Sequence, residues 1–235
     1  MMYYWNKNYF ESLHEIAELL HQTPELEKLA AYCELREQGL RQQALHVLRQ
    51  FLKEVTYLTE QRQLELALQI LEISYEGRGA RQLMSHPLKA EFLRPVLRMH
   101  APTHAAAYRY QALDTYDWEA MRQILEEHPL DELIWQKLIS LHLQGADFAM
   151  HHLNESLFLG PEDECGELLQ QAHKLLCPPF DQQPEHAFWL CKYQKLQQLF
   201  DGWEAYRQNR TGTFPQWCQA HGIDNQWRIT VYYEK

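Results

Sequence analysis

Stretches with a helical pattern of apolar residues break and restart at four similar points along this chain. Each of these corners combines a small or acidic residue with an apolar or aromatic residue and an alanine. The tripeptide Trp-Glu-Ala occurs at both 118–120 and 203–205. A helix-turn-helix unit that recurs in this way predicts stacked α-hairpins, which bury a core only by packing unit on unit. The four corners are residues 39–44, 117–120, 145–149 and 201–205.

The composition favours helices over strands. Glycine occurs only 9 times in 235 residues and β-branched residues are few, while Leu, Gln, Glu, Ala and Arg are abundant. These abundant residues have high helix propensity. We therefore predict an all-α fold, in which residues 1–235 form a single domain. Within it we expect a short right-handed solenoid of irregular α-hairpins.

The hairpin pattern is clearest between residues 103 and 176. Three prolines, at 87, 95 and 102, interrupt residues 76–102, where we predict an irregular insert. A helix that begins at His86 is expected to end or kink near Pro95, because proline lacks the amide donor of a helix interior. The N-terminal aromatic segment and residues 210–235 are predicted to cap the array. The β-prone run at 228–233 is predicted to form a short strand or an extended tail.

The segment from about Thr103 to Leu176 resembles tetratricopeptide repeats. That family packs two antiparallel helices in each unit of about 34 residues, with alanine in the second helix and proline at its end. The resemblance implies that the first helix of each hairpin lines a concave groove, where a protein or peptide partner binds. The residues that match the family's order are Asp117, Trp118, Ala120 and Pro129, followed by Gly145, Phe148, Ala149, Leu157 and Pro161.

The resemblance also indicates which side chains would face a partner. Aromatic and arginine side chains often dominate binding, because they desolvate a large area at a low entropic cost. Packing between repeats is the open alternative for any one aromatic residue of the set. The candidates on the two predicted first helices are Tyr108, Arg109, Trp135, Lys137 and His142.

The charge of the chain bears on the kind of partner. The formal net charge is −10 and the sequence pI is about 5.7. A surface of this sign repels phosphate backbones, so we expect no nucleic-acid partner. A basic partner surface is one interpretation of the charge, and solubility alone is the other.

Cysteine spacing and hydropathy indicate a cytoplasmic protein without a membrane partner. The five cysteines, at 33, 165, 177, 191 and 218, show neither a C-x-x-C motif nor regular spacing. They are therefore predicted to be reduced and mostly buried. The N-terminus lacks the basic region and apolar core of a signal peptide, and no run of about 18 apolar residues occurs.

Patterns typical of catalysis are sparse. The sequence contains no Gly-x-Ser-x-Gly, no Gly-Lys-Ser/Thr phosphate loop and no Gly-x-Gly-x-x-Gly. The 13 histidines raise the question of a metal site, but they form no recognised ligand pattern. We therefore expect no catalytic residue, no cofactor and no bound metal. A metal-dependent enzyme would have to use His142, His151, Glu155 and His173.

Three functions follow as hypotheses. The first is a non-catalytic scaffold or adaptor that holds a protein or peptide segment in the concave face of the array. The alternative is an acidic cytosolic inhibitor or immunity-type protein that neutralises a basic toxin by charge complementarity. The third is the metal-dependent helical enzyme. An exposed groove favours the first, acid concentrated in one patch favours the second, and bound metal favours the third.

Overall fold

The computed structural model describes residues 7–76 and 83–225, with the backbone alone for residues 7–12 and 76. This part of the chain contains helices and no strand, so the predicted all-α class is confirmed. None of the described helices is long and apolar enough to span a membrane. The five cysteines are free thiols. The predicted strand or tail at 228–233 lies outside the described residues.

Several short helical turns accompany the α-helices of the described residues. Turns of 3-10 helix occur at Pro24–Leu26, Leu153–Glu155 and Phe180–Gln182, and a π-helical turn occurs at Lys89–Leu93. The α-helices are α1 (Lys7–Leu20), α2 (Glu27–Glu37), α3 (Arg41–Val55), α4 (Glu60–Glu76), α5 (His86–Leu88), α6 (Arg94–His100), α7 (Ala105–Thr115), α8 (Trp118–Glu127), α9 (Glu132–Ala149), α10 (Glu162–Lys174), α11 (His186–Gln208) and α12 (Phe214–His221).

The chain divides into two compact units, Met1–Asp117 and Trp118–Lys235. In the first unit, α2 packs against α1 and α3, while α4 contacts α1, α6 and α7. In the second unit, α9 packs against α8, α10 and α11, and α12 packs against α11 and the turn at Leu153–Glu155. A single right-handed solenoid and its tetratricopeptide-like units stay predictions.

Two of the four predicted corners are confirmed. The first separates α2 from α3, where Gly39 has φ +77°. This left-handed conformation suits glycine because it has no Cβ atom. The second corner lies between α7 and α8, where Tyr116 has φ 57° and is followed by Asp117.

The other two predicted corners are wrong, because α9 continues through Gly145 and α11 continues through Gly202. Both glycines permit close packing. A Cβ atom at position 145 would lie 2.9 Å from Leu168 Cδ1 of α10, and one at position 202 would lie 2.9 Å from Ile223 Cδ1. In each case the neighbouring atom is the end of a side chain from another segment, so glycine accompanies close packing inside a helix and does not mark a helix end here.

The expected helix end at Pro95 needs correction, because helical structure continues from His86 to His100. The alternative, a kink at this point, stays a prediction. The π-helical turn at Lys89–Leu93 is followed by Arg94 and Pro95, the first two residues of α6. The backbone N–H of Arg94 donates to the carbonyl oxygen of Lys89, five residues earlier, and this wider turn accommodates a proline that has no N–H to donate. The wider turn thus lets the helix restart at the proline.

A buried carboxylate joins three helical segments of the first unit. The Asp114 side chain of α7 is only 7% exposed. It accepts hydrogen bonds from Lys89 Nζ at 3.0 Å and from Arg94 Nε at 2.6 Å. Burial raises the pKa of Asp114, but these two cationic donors outweigh burial and hold the pKa below its ordinary value. We call Asp114, Lys89 and Arg94 the charged joint.

Candidate partner-binding site

Trp135 does not line a groove, contrary to the sequence-based prediction. Its side chain is completely buried in α9, and its Nε1 donates a 2.7 Å hydrogen bond to the backbone oxygen of Leu175, at the end of α10. The indole therefore packs α9 against α10 and satisfies a carbonyl that the helix end leaves free. The role of Trp135 is therefore packing, which is the alternative that the sequence left open.

His142 is also buried rather than available to a partner. Its exposed fraction is 3%, and its ring meets the edge of Trp118 with the ring centres 4.6 Å apart. Nδ1 has no hydrogen-bond partner among the described residues. Burial, together with the positive charge of Arg122, lowers the pKa of His142 to about 4. His142 is therefore a neutral core side chain between α8 and α9.

The other three groove candidates are half-buried. Tyr108 and Arg109 lie on α7 in the first unit, and Lys137 lies on α9 in the second. The Arg109 guanidinium lies over the Tyr110 ring at 5.2 Å. Their contact with a partner stays a prediction.

The structure does not bring together the residues that the enzyme hypothesis requires. Among the described residues, no three His, Cys, Asp or Glu side chains are placed to hold a metal ion. His151 instead packs against the ring of His152, which contacts Glu155 at 3.0 Å. His173 packs against the ring of Tyr193.

The C-terminal part of the second unit forms a surface that the corner prediction missed. After α11, a capping box at Thr213 and Gln216 starts α12, with Pro215 in its first turn. The α12 helix ends at Gly222, whose φ of +69° turns the chain back toward α11. The absence of a side chain at Gly202 then allows Ile223 to approach α11 closely.

A cleft of about 430 Å³ lies between α11 and the segment that contains α12. Its apolar surface includes Trp217 and Ile223, and glutamines of α11 line it as well. Gln197 Nε2 donates to Asp201 Oδ1 at 2.7 Å, while the exposed side chains of Gln194 and Gln198 have no such partner among the described residues. This α11–α12 cleft is lined by Tyr193, Gln194, Gln197, Gln198, Asp201, Gly202, Ala205, Trp217 and Ile223.

A second cleft, of about 530 Å³, lies where the start of α10 meets α11. Arg207 forms an ion pair with Glu162, and Trp203 Nε1 donates to the same carboxylate at 3.0 Å. Three of the lining side chains are acidic and one is basic. This α10–α11 cleft is lined by Gly160, Glu162, Asp163, Gly166, Phe200, Glu204 and Arg207.

One sequence signal for this surface was available. Buried apolar residues occur at positions 196, 199, 200, 203 and 206, and their spacing continues in register across Gly202. Such a pattern is typical of one uninterrupted helix. Nothing comparable indicated that Trp217 and Ile223 would pack beside α11, because that contact depends on the tertiary fold.

Comparisons of the chain with protein-family models, with curated proteins and with solved structures give no match.

Proposed function

We propose that this chain is a non-catalytic protein that binds a protein or peptide segment, and that the α11–α12 cleft holds the segment. The supporting observation is the combination in one cleft of apolar surface with the two glutamine side chains Gln194 and Gln198, which have no hydrogen-bond partner among the described residues. A carboxamide both donates and accepts hydrogen bonds, so it can pair with a peptide group. Apolar surface beside it would bind a side chain of the same segment.

The length of the cleft supports a peptide as its occupant. Its lining residues on α11 extend from Tyr193 to Ala205, which is about 18 Å at 1.5 Å per residue. An extended segment of about five residues covers this length at roughly 3.3 Å per residue. Within the cleft, Gln197 holds the carboxylate of Asp201 in place by a hydrogen bond.

Filling the cleft tests this function. Ala205 and Ala187 are both exposed alanines of α11, but only Ala205 lines the cleft. We expect Ala205→Trp to lose a partner that the unchanged protein and Ala187→Trp both retain in pull-downs from a native lysate. Circular dichroism should show equal helix content in all three. Retention of every partner by Ala205→Trp would exclude this cleft as the binding site.

A second candidate function is inhibition of a basic toxin, which the net charge of −10 favours. The same pull-down separates the two roles. If the retained partner is a basic enzyme or toxin and the chain abolishes its activity, inhibition is favoured. A partner that stays active in the complex favours the scaffold.

A further inference from the structure

The two clefts adjoin on the C-terminal half of α11. Asp201 lines the α11–α12 cleft and Glu204 lines the α10–α11 cleft. Residues three apart on a helix are surface neighbours, with Cβ atoms roughly 5–6 Å apart. One partner segment that crosses this edge can therefore contact both clefts.

The α10–α11 cleft has more negative charge than its own cation balances. Arg207 is engaged by Glu162. The exposed carboxylates of Asp163 and Glu204 form no ion pair or hydrogen bond within the part of the chain that the structure describes. A cationic side chain from a partner would meet these two carboxylates, while Arg207 is paired with Glu162.

The same cleft also offers a small apolar surface, at the 7% of Phe200 that is exposed. Phe200 lines it, and Gly166 lies close by, since a Cβ atom at position 166 would be 3.4 Å from Phe200 Cζ. Lysine and arginine have long apolar stems, and the arginine guanidinium packs well on aromatic rings. The cleft thus combines the two kinds of contact that such a side chain uses.

We infer that the bound segment is basic, with an apolar side chain in the α11–α12 cleft and a lysine or arginine side chain in the α10–α11 cleft. This inference rests on the proposed function, since it assigns the partner of the same surface. The charge of the clefts selects this occupant: an acidic segment would bring like charges to Asp201, Asp163 and Glu204.

Labelled synthetic peptides test the inference by fluorescence anisotropy. In the first peptide leucine and arginine alternate, in the second leucine and glutamate, and in the third serine and arginine. We expect the leucine–arginine peptide to bind, the serine–arginine peptide to bind more weakly and the leucine–glutamate peptide not to bind. Comparable binding of the leucine–glutamate peptide would overturn the inference.

Two double variants test where the charge acts. Replacing Asp163 by Asn together with Glu204 by Gln should weaken binding of the leucine–arginine peptide about tenfold, as expected for the loss of two exposed ion pairs. The matched control replaces Glu164 and Glu167 by Gln. These two glutamates are exposed on α10 but do not line the cleft. An equal loss in both double variants would mean attraction to the net charge alone and would overturn the inference.

The Ala205→Trp variant separates failure of the inference from failure of the proposed function. If it weakens peptide binding while the Asp163 and Glu204 changes do not, the cleft binds a segment that is not selected by charge. If it has no effect on the peptide or on partner capture, the proposed function itself fails. A dimer in sedimentation velocity that Ala205→Trp converts to a monomer would make a second copy the occupant, which also overturns the inference.

Discussion

The two units hold their helices together with different chemistry. In the first unit, the charged joint connects α7 to the segment from Lys89 to Arg94 through one buried carboxylate and two cationic donors. In the second, aromatic rings connect α11 to α12. The ring centres of Phe214 lie 5.4 Å from Trp203, 5.5 Å from Tyr206 and 6.1 Å from Trp217. We call these four residues the aromatic joint.

This difference predicts different responses to solution conditions. Ion pairs weaken with salt and with protonation of the carboxylate, whereas ring packing depends on buried apolar area. The aromatic joint should therefore tolerate changes of pH and salt but not loss of volume. The charged joint should be sensitive to pH and salt and less sensitive to loss of volume.

Loss of volume in the aromatic joint should have the largest effect. Phe214 is fully buried, and Phe214→Ala should lower the free energy of unfolding by about 3–5 kcal/mol, because it leaves a cavity among the rings. Urea unfolding followed by tryptophan fluorescence measures this. The control is Phe188→Ala. Because Phe188 on α11 is 60% exposed, its removal should lower the free energy of unfolding only slightly. Similar losses in both variants would contradict the packing described for the aromatic joint.

His142 is an exception that makes the second unit sensitive to pH. Its pKa is about 4 in the folded chain against an ordinary 6.5, so the unfolded chain takes up the proton first as the pH falls. Stability should therefore decline below pH 6.5 and level off below about 4, with a total loss of about 3 kcal/mol.

The variant His142→Phe isolates this contribution, because it keeps a ring against Trp118 but cannot titrate in this range. Its unfolding free energy should fall less between pH 6.5 and pH 4 than that of the unchanged protein. His128→Phe serves as the control, since His128 is exposed on the same unit. A pH dependence unchanged in His142→Phe would show that His142 takes up its proton at the same pH in the folded chain as in the unfolded chain.

Breaking the charged joint should lower the free energy of unfolding less than breaking the aromatic joint does. Asp114→Asn keeps the shape of the side chain but removes the charge that accepts from Lys89 and Arg94. We expect a loss of about 2 kcal/mol in free energy of unfolding, since hydrogen bonds to charged groups contribute about 1.5–3 kcal/mol and both cations can return to water. High salt should reduce this loss.

The pH dependence of this loss has a definite sign. Because the pKa of Asp114 is lowered on folding, its contribution is present above its ordinary value of 3.8 and is lost as the pH falls through the lower folded value. The difference between the unchanged protein and Asp114→Asn should therefore disappear in acid. Glu91→Gln is the control, since this exposed carboxylate has no ion pair among the described residues. A loss that is independent of pH would show that ionisation of Asp114 is not the source of its contribution to stability.

Local rules predicted the helices well and the candidate site poorly. The corner at Gly39 follows from one residue that adopts a left-handed conformation. The burial of His142 follows from its register with Leu138 and Ala146, which are four residues away on either side and are buried as well. The sequence does not reveal that α9 contacts three helices, and those contacts leave no groove at Trp135 and His142. Likewise, the α11–α12 cleft depends on a long-range approach of Ile223 to Gly202.

The two kinds of glycine provide the smallest and most discriminating test. At Gly39, with φ +77° and no atom close to a new Cβ, alanine should lower the free energy of unfolding by about 1 kcal/mol through backbone strain alone. At Gly145 inside α9, alanine should gain about 1 kcal/mol of helix propensity. This gain is opposed by the new Cβ, which would lie 2.9 Å from Leu168 Cδ1, the mobile end of a half-buried side chain. We therefore expect a net change at position 145 within about 0.5 kcal/mol by urea unfolding. If Gly145→Ala is as damaging as Gly39→Ala, Leu168 cannot move aside, and close packing of α9 on α10 is the reason that glycine occupies this position.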